Sequence, residues 1–323
     1  MTKPTLSLNF TDIELINGTE LNNSTTTFSI SEFIVACFSI PITLLGLVGN
    51  GLVLWFLFFH IKKTPFTVYV LNLAVADFLL LLISIVVFLD IVCGVGKQLS
   101  KELIILLLLT VTYYAGLFIL TAISVERCLS LMFPFWYRCK RPKYQSGITS
   151  AILWVVSILL TYIDYFGCNT KDFINSELKC TMMIISTSTL SLLIFFPAMV
   201  LSSLILFIKI WTKTWCQHSS KLYIVIVVTV IIFILFVVPP KLLSLLIYFK
   251  IIHEKNSFVV YTLSLFCSVV NSAANPFVYF FVGSMGKQGV GVSIQGALQK
   301  VFREDSNISP ETAQDTEASE IKM

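Results

Sequence analysis

Long apolar stretches separated by short polar ones fill most of this chain. Seven runs stand out, near residues 33–59, 66–93, 102–125, 147–167, 182–208, 222–249 and 258–282. A helix needs about 20 mostly apolar residues to cross a bilayer. The runs are apolar nearly all round and lack the polar face that a helix in water keeps. They do not alternate over about 10 residues as barrel strands do. The pattern predicts an all-α membrane protein, a seven-transmembrane helix bundle over 32–283. A polar tail, 1–31, precedes it, and a short helix with a Ser/Thr-rich disordered tail, 284–323, follows.

Composition agrees. Of 323 residues, 56% are hydrophobic and only 12% charged, against about a quarter charged in a soluble domain. Mean hydropathy is +0.88. Seven spans with short links leave no room for a second soluble domain. The three histidines, His60, His218 and His253, are not mid-span and show no metal-ligand spacing, so membrane-embedded metal catalysis is not expected. No internal repeat marks a transporter, and no ring of charged residues marks a channel.

Charge and sequons orient the bundle. Lys62 and Lys63, then Arg138, Lys140, Arg141 and Lys143, then Lys209, Lys213 and Lys221 fall in alternate links, which the positive-inside rule puts in the cytosol. Lys97, Lys101, Lys171, Lys179, Lys250 and Lys255 lie in the opposite links, so the bias is modest. The first tail decides it: Asn9, Asn17, Asn22 and Asn23 each open an N-x-Ser/Thr sequon, the acceptor for extracellular glycosylation. That tail has no apolar signal core, so the first span is expected to act as the insertion signal. The last tail begins with Lys287, Lys300 and Arg303, suited to an anionic leaflet. It ends with Ser306, Ser309, Thr312, Thr316 and Ser319 as phosphate acceptors.

Polar residues inside the apolar runs are the candidate chemistry. Asn50, Asp77, Glu126-Arg127 and the NPFVY stretch Asn275–Tyr279 sit in the first, second, third and seventh. A carboxylate mid-span costs about 2.5–3.5 kcal/mol on an insertion scale. Asp77 therefore needs partners or a cation, and Asn50, Asn271, Ser272 and Asn275 are the candidates. Two readings stand side by side: a site for an ion or water, and a carboxyl simply bonded to Asn275. Arg127 beside Glu126 reads either as a charge pair at the membrane boundary or as a group held in one state and released in another.

The order Asn50, Asp77, Glu126-Arg127, Trp154, Pro197, Pro239, Asn275-Pro276 resembles that of rhodopsin-like G protein-coupled receptors across all seven runs. Several departures narrow the likeness. Glu102 stands where most such receptors have the third-helix cysteine. Val237 replaces the sixth-helix tryptophan, Ile205 the fifth-helix tyrosine, and Cys128 the tyrosine after Glu126-Arg127. With Cys168 and Cys180 flanking the link between the fourth and fifth runs, the set looks like the Mas-related receptors. LTAISVERCLS, WYRCKRPKYQS, HSSKLYIVI and NSAANPFVYFFVGS resemble that family closely.

The resemblance implies a receptor, not an enzyme, that passes an extracellular signal to heterotrimeric G proteins of the Gq/11 and Gi classes. It implies arrestin and receptor kinases on the last tail, and the plasma membrane as location. Glu126, Arg127, Asn275, Pro276 and Tyr279 would form the switch. Asn50, Asp77, Asn271, Ser272 and Asn275 would form a buried polar site able to hold sodium, where Gly116 replaces a frequent serine ligand. A Cys168–Cys180 disulfide is expected in the oxidising compartment. Val269 excludes a retinal Schiff base, and Leu109 excludes the aspartate of amine receptors. Asp164 matches an acid that attracts cationic ligands in this family, although Met183 replaces its companion; a solvated helix-end acid is the alternative. A peptide or amphipathic cation is the expected ligand. A largely constitutive receptor without a dedicated ligand, and a transporter, are the alternatives.

Overall fold

The computed structural model describes residues 30–61, 63–93, 103–142, 144–169, 194–212, 220–248, 257–284, 296–299 and 301. These residues form eight helices: α1 (Ile30–Phe59), α2 (Pro65–Cys93), α3 (Leu103–Met132), α4 (Pro134–Cys139), α5 (Gln145–Asn169), α6 (Phe196–Thr212), α7 (Ser220–Tyr248) and α8 (Ser257–Ser284). Among the described residues α1, α2, α3, α5 and α8 are long and apolar enough to cross a membrane. Shorter apolar stretches, Phe196–Ile208 and Ile224–Phe236, lie in α6 and α7. Side chains such as Phe38, Trp55 and Leu235 are exposed, an outer surface suited to lipid rather than water.

Two boundaries differ from expectation. The third helix runs to Met132, beyond the apolar pattern, because charged residues at a helix end do not stop a helix that packs on its neighbours. The short α4 was not expected; Pro134 at its first position is pre-set for helical φ. α2 opens on reciprocal caps, with Thr67 N donating to Thr64 Oγ1 and Thr64 N donating to Thr67 Oγ1.

The helices close into a ring. α1 packs against α2 and α8, α8 against α7, and α7 against α6; α3 touches α2, α5, α6 and α7 and so runs through the middle. Small residues set how close α1 and α8 approach. A Cβ on Gly46 would stand 2.7 Å from Ala273 Cβ, and one on Gly49 would stand 3.0 Å from Pro276 Cβ. A small-xxx-small seam of this kind replaces hydrophobic driving force with close backbone contact. It also brings Asn50, one residue beyond Gly49, within reach of the α8 backbone.

Two apolar clusters fill the ring. One, around Val70, Phe118, Met199, Val230 and Val282, lies toward the end that carries Arg127 and takes in Leu298 and Val301 from beyond α8. The other, around Ala36, Leu81, Phe88, Leu109 and Val269, lies toward the opposite end. Buried hydroxyls are tied locally: Thr43, Ser84, Thr121, Ser124 and Thr161 donate to the carbonyl four residues back, which spares the apolar interior an unpaired donor.

Candidate functional site

Between the two clusters runs a belt of polar side chains. Asn275 Nδ2 donates to Asp77 Oδ2 at 2.7 Å, linking α8 to α2. Ser272, one turn earlier on α8, is placed to hydrogen-bond the same carboxylate. Asp77 is 3% exposed. A carboxylate this deep depends on such donors, because an unsatisfied buried charge is far more costly than an unsatisfied neutral group. Asn50 departs from expectation. Its amide donates to Gly46 O at 3.0 Å and Ser272 O at 3.1 Å, so it ties α1 to α8 through backbone carbonyls instead of serving Asp77. Asn271 is half-buried and makes no hydrogen bond to Asp77. Pro276 packs beside Gly49, and Tyr279 is buried one turn beyond Asn275.

Gly116 of α3 faces this belt. Among the described residues Asp77 Oδ1 would be the only side-chain atom of another helix within 4 Å of a Cβ there, at 3.9 Å. α3 therefore leaves room beside the carboxylate. On the far edge of α2, Trp154 Nε1 of α5 donates to Asn72 Oδ1 at 3.2 Å. Asn72 was not singled out in the sequence, although it is a polar residue in an apolar run like Asn50.

At Glu126-Arg127, the other expected switch position, the partners differ from the sequence reading. Arg127 is buried, and its guanidinium lies over the Phe66 ring of α2, 4.2 Å from the centroid, a cation–π seat. Glu126 is engaged elsewhere. Arg141 Nη2 reaches Glu126 Oε1 at 2.5 Å, and Tyr137 Oη donates to the same oxygen at 2.9 Å. Arg141 also donates to Ser146 Oγ and stacks on Tyr137, 5.1 Å from its ring. Burial pushes the Tyr137 phenol above its ordinary range; Arg127 opposes this and Glu126 adds to it. Tyr137 thus stays a donor at physiological pH. The pair expected between Glu126 and Arg127 is replaced by a clamp from the α4–α5 link, because the Arg141 guanidinium, fifteen residues on in the chain, meets the carboxylate without straining α3.

A prediction follows from this clamp. In a receptor of the kind the resemblance implies, Arg141→Ala frees the Glu126 carboxylate to hold its neighbour Arg127, so ligand-independent signalling should fall. About 1 kcal/mol of new pairing corresponds to roughly fivefold. Inositol phosphate accumulation at matched surface level checks it, and a rise would contradict the assignment.

Other expected site residues fall as follows. Val269 and Leu109 are buried in the apolar cluster away from Arg127. Ile205 lies at the outer surface of α6 while Leu206 points inward. Asp164 and Cys168 lie on α5, but their side chains, together with Cys180 and the sequons at Asn9, Asn17, Asn22 and Asn23, are outside the described residues.

Known proteins share this arrangement in sequence. The profile of the seven-transmembrane receptors of the rhodopsin family matches residues 49–279, from beside Asn50 through Tyr279. The chain is 41% identical over 271 residues to the human proto-oncogene Mas, covering 80% of each chain. It is 38% identical over 288 residues to the rat Mas-related G-protein coupled receptor member H, covering 88% of this chain and 89% of that one. It is 34% identical over 313 residues to mouse member B5, covering 95% of each. The chain belongs to the rhodopsin family, as a Mas-related receptor. It is therefore a multi-pass membrane protein that couples to G proteins. In this receptor the polar belt and the Arg127 seat lie at the positions that the sequence singled out, with Asn72, Phe66, Tyr137 and Arg141 added by the structure.

Proposed function

We propose that this Mas-related receptor sits in the plasma membrane with its first tail outside and relays an extracellular peptide or amphipathic cation to G proteins of the Gq/11 and Gi classes. Arrestin and receptor kinases act on the Ser/Thr-rich tail. The observation that carries the switch is the Asn275–Asp77 bond, which joins α8 to α2 beside the central α3. In this reading the ligand prefers the packing in which the inner ends of α6 and α7 move outward. It can shift the equilibrium only by its differential affinity for the two states. Pro197, Pro239 and Pro240 interrupt the backbone ladder and supply the bends. The movement releases Arg127 from Phe66 and opens a groove for a G protein helix.

Outside, Asp164 is the proposed attractor for positive charge. A lysine–leucine amphipathic peptide should trigger calcium release in expressing cells, its glutamine–leucine counterpart should not, and Asp164→Asn should blunt the response. Equal responses to both peptides would contradict a cation receptor.

Beside Asp77 the open space at Gly116 fits a sodium ion or water. Asp77, Ser272 and Asn275 would hold it, and the ion would stabilise the resting packing. Gly116→Ser adds a hydroxyl facing Oδ1. One further ligand worth about 1.4 kcal/mol should lower the sodium concentration that suppresses basal activity roughly tenfold. The check is basal nucleotide exchange as sodium replaces potassium; an unchanged midpoint would count against the site.

A further inference from the structure

α2 carries two buried acids, and the described residues serve only one. Asp77 has Asn275 and Ser272. Asp90 is 6% exposed, and among the described residues neither of its oxygens has a hydrogen-bond partner. Thirteen residues separate them, about 20 Å along the helix at 1.5 Å per residue, which places Asp90 three residues from the end of α2 at Cys93. Eighteen residues, five whole turns at 3.6 per turn, separate Asp90 from Asn72. Asp90 therefore lies on the α2 edge that meets α5 through the Asn72–Trp154 bond. On the same stripe Val87 and Ile83 belong to the apolar cluster that also holds Ile105, Leu109 and Tyr113 of α3.

An acid so near a helix end has bulk water within reach of a small shift, yet this one is buried with no partner among the described residues. No donor among the described residues offsets that burial, and an uncompensated buried charge is costly enough to point to a site that uses it. We infer that Asp90 anchors the ammonium or guanidinium group of an extracellular cationic ligand, in an outer-end site between α2 and α3. The inference rests on the reading of this chain as a receptor for a cation. Both oxygens are available, which favours a guanidinium binding in two places. Ile105 and Leu109 offer an apolar wall for the ligand's aliphatic stem, and the Tyr113 ring offers an aromatic face.

The test uses purified full-length receptor in lipid nanodiscs, with arginine amide as probe and norleucine amide as its uncharged control, both acetylated at the α-amino group so that the guanidinium is the only charge that differs. Arginine amide at millimolar concentration should raise the melting temperature of the parent by about 2 °C or more. Norleucine amide should not, and Asp90→Asn should abolish the shift. Without probe, Asp90→Asn and Asp90→Leu should melt at or above the parental temperature, since each removes an unpaired buried charge. A structural role predicts the reverse. A clear fall in both unliganded variants would overturn the inference, as would an absent shift or one that persists in Asp90→Asn. Lys97→Ala or Lys101→Ala lowering the melting temperature of the parent but not of Asp90→Asn would also overturn it, by making a loop lysine the partner. Nucleotide exchange by the unliganded parent tests the receptor reading separately, so loss of the probe effect alone defeats only the anchor.

Discussion

Asn275→Ala should be among the most damaging single substitutions in this receptor. It removes the 2.7 Å donor to Asp77 Oδ2 and leaves a carboxylate that is 3% exposed with Ser272 alone. Losing a hydrogen bond to a buried charge costs about 1.5–3 kcal/mol. For a bundle of this size that is a melting-temperature drop of roughly 5–10 °C. The sign logic extends to a pair of variants. Asp77→Asn alone should be mild, because an amide can still accept from Asn275. Added to Asn275→Ala, it should restore part of the lost stability, because the stranded charge is gone. Thermal unfolding of the four proteins in one lipid composition checks this. Additive losses would show that the two side chains are not coupled.

The second large effect falls on function rather than stability. Arg127→Ala should remove ligand-independent signalling while leaving the protein at the cell surface. Arg127 is seated on Phe66, on the helix that touches α2, α5, α6 and α7. It is the buried cation at the bundle end where the proposed groove opens. Removing it takes away the group released on activation, whereas Glu126 keeps Arg141 and Tyr137. Some signalling without ligand is expected in the parent for two reasons. The Glu126 carboxylate is already committed to Arg141, which weakens its hold on Arg127. Val237 and Ile205 replace two residues that the family commonly uses in the switch, and Ile205 lies at the outer surface. Inositol phosphate accumulation indistinguishable from that of untransfected cells would contradict this expectation.

The apolar runs were legible because a helix facing lipid is apolar on every side, and no other fold element needs 20 such residues. Asn50, Asp77 and Asn275 were legible as exceptions within those runs. Their pairing was only partly so. Asn50 binds the backbone carbonyls of Gly46 and Ser272, and a backbone acceptor leaves no letter in the sequence. Gly46 and Gly49, which let α8 come close enough for that bond, read as ordinary glycines until Ala273 and Pro276 are set beside them. Arg141 was one of four basic residues in a link counted only for orientation, and nothing local marks which one turns back to Glu126. Phe66 was hidden for the opposite reason, as one aromatic among many apolar neighbours. Asn72 could have been found by the rule that found Asn50. Asp90 stands in the sequence as one more acid in an apolar run, but that it is buried without a partner among the described residues is a property of packing alone.

The most direct measurement is GDP–GTP exchange on purified Gq and Gi heterotrimers by purified receptor in nanodiscs, with no ligand added, comparing the parent with Arg127→Ala. The account predicts that the parent accelerates exchange on at least one heterotrimer above the spontaneous rate and that Arg127→Ala does not, although both unfold at similar temperatures. A parent no faster than spontaneous exchange, or a variant as fast as the parent, would contradict a receptor that signals through the buried arginine at the end of α3.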